Sequence, residues 1–366
     1  MQNLKKLVSI ASNTDKEEII NFVAQELESK AKEIQIIKNK ENNNKSIIFG
    51  IITNLKDCAP IVLSGHLDTV DPDFKLYKTN PFILTQKGDK FYGLGSIDMK
   101  SFMAIIMDIF NDLQNFSYPI IGCFTTDEET NVYCINNVIN FLKKKNITPI
   151  FTIVGEPTNS FFSTVCNGCA EYVTTFIGKA CHSSIPYNGV NAISACAKFV
   201  NYINRIQKNY SNLTSNVGII NGGEVSNKVP DFSTITFDLR TTQKTSQDKF
   251  LKMLEKYLKK LETEFVGLKT QLSCNLCMPP LFNKNSQKIK KIGQDLNIQM
   301  GTFTGGCEAG YFTDYSGDAI IFGVDKLSLA HKPNEYVEKS EYETYKQKLM
   351  QTINAVIKEY DSQNSN

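Results

Sequence analysis

Side chains that bind metal ions recur in short, separated segments of this 366-residue chain. Only three histidines are present, and two of them stand in such segments near carboxylates. Imidazole and carboxylate groups are ligands that suit Zn²⁺, and one carboxylate can bridge two metal ions about 3.5–4 Å apart. The candidate ligands are His66, Asp98, the Glu128-Glu129 pair, Glu156 and His331. Two histidines and three carboxylates predict a site for two zinc ions.

The spacing within two of these segments suggests a division of labour. Asp68 follows His66 by two residues, so its carboxylate could accept the ring N–H and fix the tautomer of His66. The side chains of Glu128 and Glu129 diverge because the residues are adjacent. One of the two can therefore bind metal while the other holds a water molecule as general base. The residues alone leave open which is which.

The elements that must position these residues are short buried strands. Apolar runs at 61–63, 120–126, 150–154 and 319–322 precede the candidate segments and alternate with helical stretches. This alternation predicts an α/β fold with a mostly parallel sheet. Since sites in such sheets form beyond the carboxyl ends of the strands, the candidate ligands should meet at one edge.

The order of predicted strands and helices changes between residues 168 and 279. The patterns predict strands at 170–177, 216–221, 232–240 and 268–276, with helices at 189–206 and 246–262. The order βαββαβ is that of the ferredoxin-like split βαβ unit. We therefore predict an inserted α+β domain at 168–279, which divides the first domain into residues 1–167 and 280–366.

Composition argues against several other classes of function. The net charge is +2, and no basic stripe with interleaved aromatic residues indicates nucleic-acid binding. The longest apolar runs, about seven residues, are far shorter than the ~20 needed to cross a bilayer. The first residues contain no apolar stretch of signal-peptide length, so we expect a cytoplasmic protein that binds neither nucleic acid nor membrane.

The ten cysteines include two C-x-x-C pairs, Cys166/Cys169 and Cys274/Cys277. A zinc knuckle is one interpretation of such pairs. Each pair lies in or beside a predicted strand with no histidine nearby, which favours buried thiols instead.

Eight segments together resemble a known family. In chain order they are SGHLDTV at 64–70, FYGLGSIDMKSFMA at 91–104, TTDEET at 125–130, VGEPT at 154–158, ACHSSIPYNGVNAI at 180–193, NGGEVSNKVPD at 221–231, FDLRTT at 237–242 and AHKPNEYV at 330–337. The chain thereby resembles the zinc metallopeptidase family that contains aminoacylase, glutamate carboxypeptidase, acetylornithine deacetylase and succinyl-diaminopimelate desuccinylase.

The resemblance implies a role for each metal-site residue. His66 and Glu156 would hold one zinc, Glu129 and His331 the other, and Asp98 would bridge them. Glu128 would be the general base, and Asp68 would orient His66. Co²⁺ or Mn²⁺ could replace zinc. The first domain would then be a zinc-peptidase-like catalytic domain.

The resemblance also implies that the inserted domain is a lid and dimerisation domain, and that the protein is a homodimer. His182 in this domain would reach the partner's active site and stabilise an oxyanion. Asn227 and Arg240 would contact the substrate, and Arg240 would bind the carboxylate of the substrate. Arg240 is one of only two arginines in this lysine-rich chain, which fits a need for a guanidinium fork.

Within the family, the segments FYGLGSIDMKSFMA and CHSSIPYNGVNAI and the GCEAGYF segment at 306–312 favour the acetylornithine deacetylases. Gly306 of the last segment would contribute to the substrate pocket. The expected reaction is hydrolysis of the N-acyl amide of N2-acetylornithine to ornithine and acetate, a step of arginine biosynthesis. The alternatives are hydrolysis of N-succinyl-diaminopimelate, of another N-acyl amino acid or of a dipeptide. A non-catalytic homologue that binds metal or amino acid is a further alternative.

Overall fold

The structure, a computed structural model, describes residues 1–14, 16–31, 33–38, 46–51, 59–110, 118–283, 286–315, 317–324 and 327–364. The helices in these residues are α1 (Gln2–Ser9), α2 (Lys16–Leu27), α3 (Lys100–Ile109), α4 (Tyr133–Lys144), α5 (Ala192–Ile206), α6 (Lys244–Glu264), α7 (Ser286–Asp295), α8 (Ala309–Tyr315) and α9 (Lys339–Asn364). The strands are β1 (Glu33–Lys38), β2 (Ser46–Ile51), β3 (Ile61–His66), β4 (Thr85–Lys87), β5 (Lys90–Tyr92), β6 (Ile120–Thr125), β7 (Phe151–Val154), β8 (Phe162–Ser163), β9 (Gly168–Ile177), β10 (Cys181–His182), β11 (Leu213–Gly222), β12 (Lys228–Val229), β13 (Phe232–Thr241), β14 (Lys269–Met278), β15 (Met300–Gly301), β16 (Asp318–Ile321) and β17 (Tyr336–Glu338).

The chain forms two compact units. The first consists of Met1–Cys166 and Leu281–Asn366, and the second consists of Asn167–Pro280. Among the described residues, none of the helices combines the length and apolar character needed to traverse a bilayer.

The first unit is built on an eight-stranded sheet with the order β1-β2-β6-β3-β7-β16-β8-β15. Its centre is parallel, because β3 pairs in parallel with both β6 and β7, and β16 pairs in parallel with β7. The prediction of an α/β fold with a largely parallel sheet is thus confirmed. The periodicity did not predict the antiparallel β1–β2 pair at one edge or the small sheet β17-β5-β4.

Helix α3 lies in the core of the first unit, where every residue except Asp108 is buried. Two glycines allow this close approach to the sheet. A Cβ on Gly65 would overlap the side chains of Met99 and Met103, and a Cβ on Gly155 would overlap the ring of Phe102. These glycines directly precede two of the candidate ligands, so the packing of α3 is coupled to the positions of His66 and Glu156.

The second unit is a four-stranded antiparallel sheet with the order β11-β13-β9-β14. Alternate residues of β13, Ile235, Phe237 and Leu239, are buried as the pattern predicted. They share a core with buried residues of α5 and α6, which therefore cover this face of the sheet. The sequence pattern did not predict the short β10–β12 pair at one end.

Candidate metal centre

Three parallel strands bring candidate ligands to one edge of the first unit's sheet. His66 is the last residue of β3, Glu128 and Glu129 follow β6, and Glu156 follows β7. Because β3 lies between β6 and β7, the chain segments that leave these strands are neighbours. The local order of strand and loop therefore assembles residues that are distant in the sequence.

Asp98 stands between the two histidines. Its Oδ1 lies 3.1 Å from Nε2 of His66, and its Oδ2 lies 3.3 Å from Nε2 of His331. Nε2 of His331 is also 2.9 Å from Oε1 of Glu129, while Oε1 of Glu156 is 4.0 Å from Nε2 of His66. One carboxylate thus faces both imidazoles, with one oxygen toward each.

These residues form two groups that share Asp98. The first is His66, Asp98 and Glu156, and the second is Asp98, Glu129 and His331; the ligand atoms of each lie within 4.8 Å of one another. Nitrogen and carboxylate ligands around a shared carboxylate fit a pair of ions such as Zn²⁺ or Co²⁺. All five predicted ligands are brought together.

The atom of Asp68 that accepts the hydrogen bond from His66 differs from the prediction. Nδ1 of His66 lies 2.9 Å from the backbone oxygen of Asp68, whereas the nearest carboxylate oxygen of Asp68 is 3.6 Å away. The ring N–H is therefore donated to the main chain of Asp68, not to its side chain. In a neutral ring this hydrogen bond keeps the proton on Nδ1 and leaves the Nε2 lone pair available to a metal ion. Without metal, the protonated ring also donates from Nε2 to Asp98.

The Asp68 carboxylate instead holds the loop that carries the glutamates. It accepts hydrogen bonds from the backbone N–H groups of Glu128 at 3.3 Å and Glu129 at 3.2 Å. Nζ of Lys16, the first residue of α2, is 3.5 Å from this carboxylate and donates a 2.6 Å hydrogen bond to the Thr126 carbonyl. The sequence patterns gave no signal for Lys16, because it is one of many lysines.

Two further carboxylates were not predicted. Asp127 accepts hydrogen bonds from the N–H groups of Tyr133 and Cys134 at the start of α4, and so shapes the loop behind Glu128. Glu335 accepts from the N–H groups of Gly95, Ile97 and Asp98, and so holds the turn that presents Asp98. Both stand inside segments that carry predicted ligands, and that proximity was the available signal.

The ionisable groups of the centre strongly perturb one another. Burial by itself lowers the pKa of His66, but its hydrogen bond to Asp98 and the surrounding carboxylates raise that pKa well above its usual value. Hydrogen bonds to Asp98 and Glu129 raise the pKa of His331 to about 10. Burial raises the pKa values of Glu128 and Glu156 well above those of ordinary carboxyls. Without metal the centre therefore holds protons that a bound cation would displace.

Gly306 lies in the loop that leads into α8. Two residues later, the buried carboxylate of Glu308 accepts a 3.3 Å hydrogen bond from Oγ of Ser64 in β3. This loop therefore adjoins the strand that ends at His66. Burial raises the pKa of Glu308 to about 7.

The other three predicted residues belong to the second unit. His182 pairs with Lys228 between β10 and β12, and the N–H of Ser183 donates to the carbonyl of Asn227. His182 and Asn227 are therefore neighbours. The N–H of Ser184 donates to Nδ1 of His182, which leaves the proton of a neutral ring on Nε2.

Arg240 lies elsewhere in this unit. Its Nε donates to both carboxylate oxygens of Asp238, at 3.1 and 2.9 Å. The β9–β13 ladder runs from Arg240 to Phe232, and the β10–β12 pair continues beyond that end. At ~3.4 Å per residue, the strand alone separates the two places by roughly 27 Å.

The burial of the two C-x-x-C pairs agrees only in part with the prediction. Cys166 and Cys169 are buried, but Cys274 and Cys277 are exposed, so the prediction of buried thiols is wrong for the second pair. The reason is that β14 is an edge strand of its sheet. Among the described residues, the groups that could hold a metal ion contain no cysteine.

The chain is similar to a known protein family and to curated proteins. The profile of Peptidase_M20, peptidase family M20/M25/M40, matches residues 62–355. An acetylornithine deacetylase from Buchnera aphidicola subsp. Schizaphis graminum is 28% identical over 352 residues, which cover 92% of this chain and 87% of that protein. An acetylornithine deacetylase from Proteus mirabilis is 26% identical over 351 residues, with coverage of 92% and 89%.

Solved structures show the same fold. The crystal structure of an aminopeptidase from Bacillus cereus superposes with a TM-score of 0.74 at 17% identity, and the match covers 97% of each chain. An M20 family metallo-carboxypeptidase from Sulfolobus solfataricus gives a TM-score of 0.74 at 15% identity and covers 97% of this chain and 98% of its own.

Proposed function

Because this chain belongs to peptidase family M20/M25/M40 and is therefore a metal-dependent amidohydrolase, we propose that it removes the acetyl group of N2-acetylornithine. The single observation that carries the hydrolytic part is the position of Asp98 between two groups of metal ligands. The choice of substrate is supported by relatives named acetylornithine deacetylase, at 26–28% identity over about nine-tenths of this chain.

We propose that His66 and Glu156 hold one divalent ion, that Glu129 and His331 hold the other, and that Asp98 bridges them. Zinc is the proposed native metal, with cobalt or manganese as substitutes. When bound, such ions lower the pKa of a coordinated water and polarise the amide carbonyl. The ligand atoms of both groups are close enough for this assignment, which supports it.

Glu128 is the proposed general base. Its backbone N–H is held by Asp68, next to the ligand Glu129, but its side chain belongs to neither ligand group. Burial raises the pKa of Glu128, and a carboxylate of raised basicity accepts a proton from water more readily. Glu128 would then deliver that proton to the leaving amine.

The proposed substrate contacts are Gly306 in the first unit and Asn227, Arg240 and His182 in the second. The Arg240 fork would bind the α-carboxylate, and the Nε2–H of His182 would donate to the oxyanion. The separation of His182 from Arg240 supports a homodimer in which one small substrate is contacted by Arg240 of one subunit and His182 of the other. The second unit would then serve as lid and dimerisation domain.

A substrate panel tests the proposal. The purified protein is stripped of metal, reloaded with Zn²⁺ or Co²⁺, and assayed with N2-acetylornithine, N-succinyl-diaminopimelate and a dipeptide. We expect the highest kcat/KM for N2-acetylornithine, and none for the metal-free protein. The Glu128→Gln variant, purified identically, controls for a contaminating hydrolase. A preference for another substrate would correct the substrate, and metal binding without any hydrolysis would reject the enzyme.

A further inference from the structure

The edge strand β14 carries two exposed cysteines in an arrangement that an ordinary strand does not permit. Residues three apart on a regular strand point to opposite faces of the sheet. Here the pairing with β9 shifts between Cys274 and Leu276, so that Cys274 lies opposite Tyr172 and Cys277 lies opposite Ala170. This bulge at Asn275 removes one step from the alternation and brings both thiols to the same face.

Hydrogen bonds surround the two thiols, and both residues are exposed. Sγ of Cys274 donates a 3.1 Å hydrogen bond to the carbonyl of Leu276. The Nε2–H group of Gln247 on α6 also donates to Sγ of Cys277 at 3.5 Å. The hydrogen bond from Gln247 is one that a thiolate at position 277 would accept.

The surrounding charges favour the same thiolate. The Cys274 hydrogen bond, that of Gln247 and the nearby positive charge of Lys244 lower the pKa of Cys277 to about 6, against burial and the charge of Asp248. The pKa of Cys274 is raised, first by its hydrogen bond to Cys277. One thiol of the pair is thus the nucleophile, and the other is held protonated beside it.

We propose that Cys274 and Cys277 form a reactive dithiol site that small dialkyl disulfides, of the oxidised glutathione class, convert to an intramolecular disulfide. The Cys277 thiolate attacks one sulfur of the oxidant, forms a mixed disulfide and expels one thiolate, which takes up the proton that Cys277 lost. The Cys274 sulfur then attacks the Cys277 sulfur and expels the second thiolate, which takes up the proton of Cys274. The protein dithiol is oxidised by two electrons, and one disulfide is reduced to two thiols.

The product disulfide should be reversible because both cysteines are exposed, and exposed disulfides are among the labile ones. The two cysteines lie opposite residues two positions apart on β9, which corresponds to ~6.8 Å along that strand and lies within the range that a disulfide can span.

The test is incubation of the complete protein with oxidised glutathione at neutral pH, followed by peptide mapping with mass spectrometry. We expect a Cys274–Cys277 disulfide that dithiothreitol removes. The Cys274→Ser variant should instead accumulate a mixed disulfide at Cys277. In the Cys277→Ser variant, Cys274 should react about tenfold or more slowly, because it lacks a stabilised thiolate.

The protein contains a matched internal control. Sγ of Cys307 lies 3.8 Å from Sγ of Cys166, but both residues are fully buried. This pair should stay reduced while the exposed pair is oxidised, and phenylarsine oxide, which bridges two thiols, should label only the exposed pair. Mixed disulfides without the internal bond, or equal rates for Cys274→Ser and Cys277→Ser, would overturn the proposal. Preferential oxidation of the buried pair would overturn it as well.

Discussion

Adjacent carboxylates at 128 and 129 have different surroundings. Oε1 of Glu129 lies 2.9 Å from Nε2 of His331 and belongs to a ligand group with Asp98. Glu128 belongs to neither group, although its main chain is held by the same Asp68 carboxylate. The two residues therefore lend themselves to a matched pair of variants.

We predict that Glu128→Gln keeps its metal and lowers kcat by about 10²–10⁴-fold, because the amide cannot accept a proton. Glu129→Gln should lose metal as well as activity. Metal content is measured by atomic absorption after gel filtration, and kcat with N2-acetylornithine. Loss of metal from Glu128→Gln with retention by Glu129→Gln would show that the two roles are exchanged.

At the same scale, Arg240→Lys should raise KM about 10- to 100-fold for a substrate with a free α-carboxylate, because lysine cannot form the bidentate contact. The corresponding α-amide substrate should be affected little. Steady-state kinetics on the two substrates make the comparison. An equal rise for both would assign Arg240 a structural role, such as its contact with Asp238.

At the scale of elements, the first residue of α2 connects that helix to the metal centre. Nζ of Lys16 lies near both the Asp68 carboxylate and the Thr126 carbonyl. Its charge offsets that of a buried carboxylate, which in turn holds the N–H groups of Glu128 and Glu129.

Lys16→Met should therefore lower kcat about 10- to 100-fold, the range found when groups behind metal ligands are removed. Lys30→Met is the matched control, since Lys30 lies just beyond the other end of α2 and pairs with Glu26. Thermal unfolding of both variants separates a local effect from loss of the fold. Activity in Lys16→Met equal to that of Lys30→Met would exclude the positioning role.

The approach of α3 to the sheet gives a second prediction at this scale. Gly155→Ala forces a methyl group into the ring of Phe102 and displaces the start of α3, next to Asp98. Such overpacking costs about 1–3 kcal/mol of unfolding free energy and should weaken metal binding. Gly218→Ala is the control, because the nearest atom to an added Cβ there is 3.6 Å away. Chemical denaturation and metal titration give both quantities; unchanged metal affinity in a destabilised Gly155→Ala protein would contradict the coupling.

At the scale of the whole molecule, the proposed substrate contacts pose a geometric problem. Asn227 and His182 are neighbours, but Arg240 lies at the opposite end of β13, roughly 27 Å away at ~3.4 Å per residue. The proposed homodimer would avoid this problem, because one substrate would be contacted by Arg240 of one subunit and by His182 of the other.

We predict that a heterodimer of a His182→Ala chain and a Glu128→Gln chain recovers about half the wild-type activity. In a shared arrangement, one of its two sites carries both substitutions and the other carries neither. The chains bear different affinity tags, so the mixed species is purified in two steps and verified by mass spectrometry. Each homodimer is the inactive control, and a heterodimer as inactive as its parents would mean that His182 serves its own subunit.

Much of the fold and the site could be predicted from the sequence because their determinants are local. The strands β3, β6, β7 and β16 are short, buried and parallel, and each is visible in the sequence as a short apolar run. A ligand that directly follows such a strand is placed by the strand, so His66, Glu128, Glu129 and Glu156 could be assigned to one edge. The strands β1 and β2 were not predicted, although β2 contains a short apolar run at 47–49.

Contacts between segments that are distant in the chain were decided only by the tertiary structure. No spacing in the sequence indicates that Lys16 reaches Asp68, that Glu335 holds the turn at Asp98, or that the main chain of Asp68, and not its side chain, accepts the His66 proton. The exposure of Cys274 and Cys277 likewise follows from the place of β14 at the edge of its sheet. Local sequence sets which residues leave the end of a strand, but hydrogen bonds between distant segments depend on packing, which becomes definite only when the whole chain has folded.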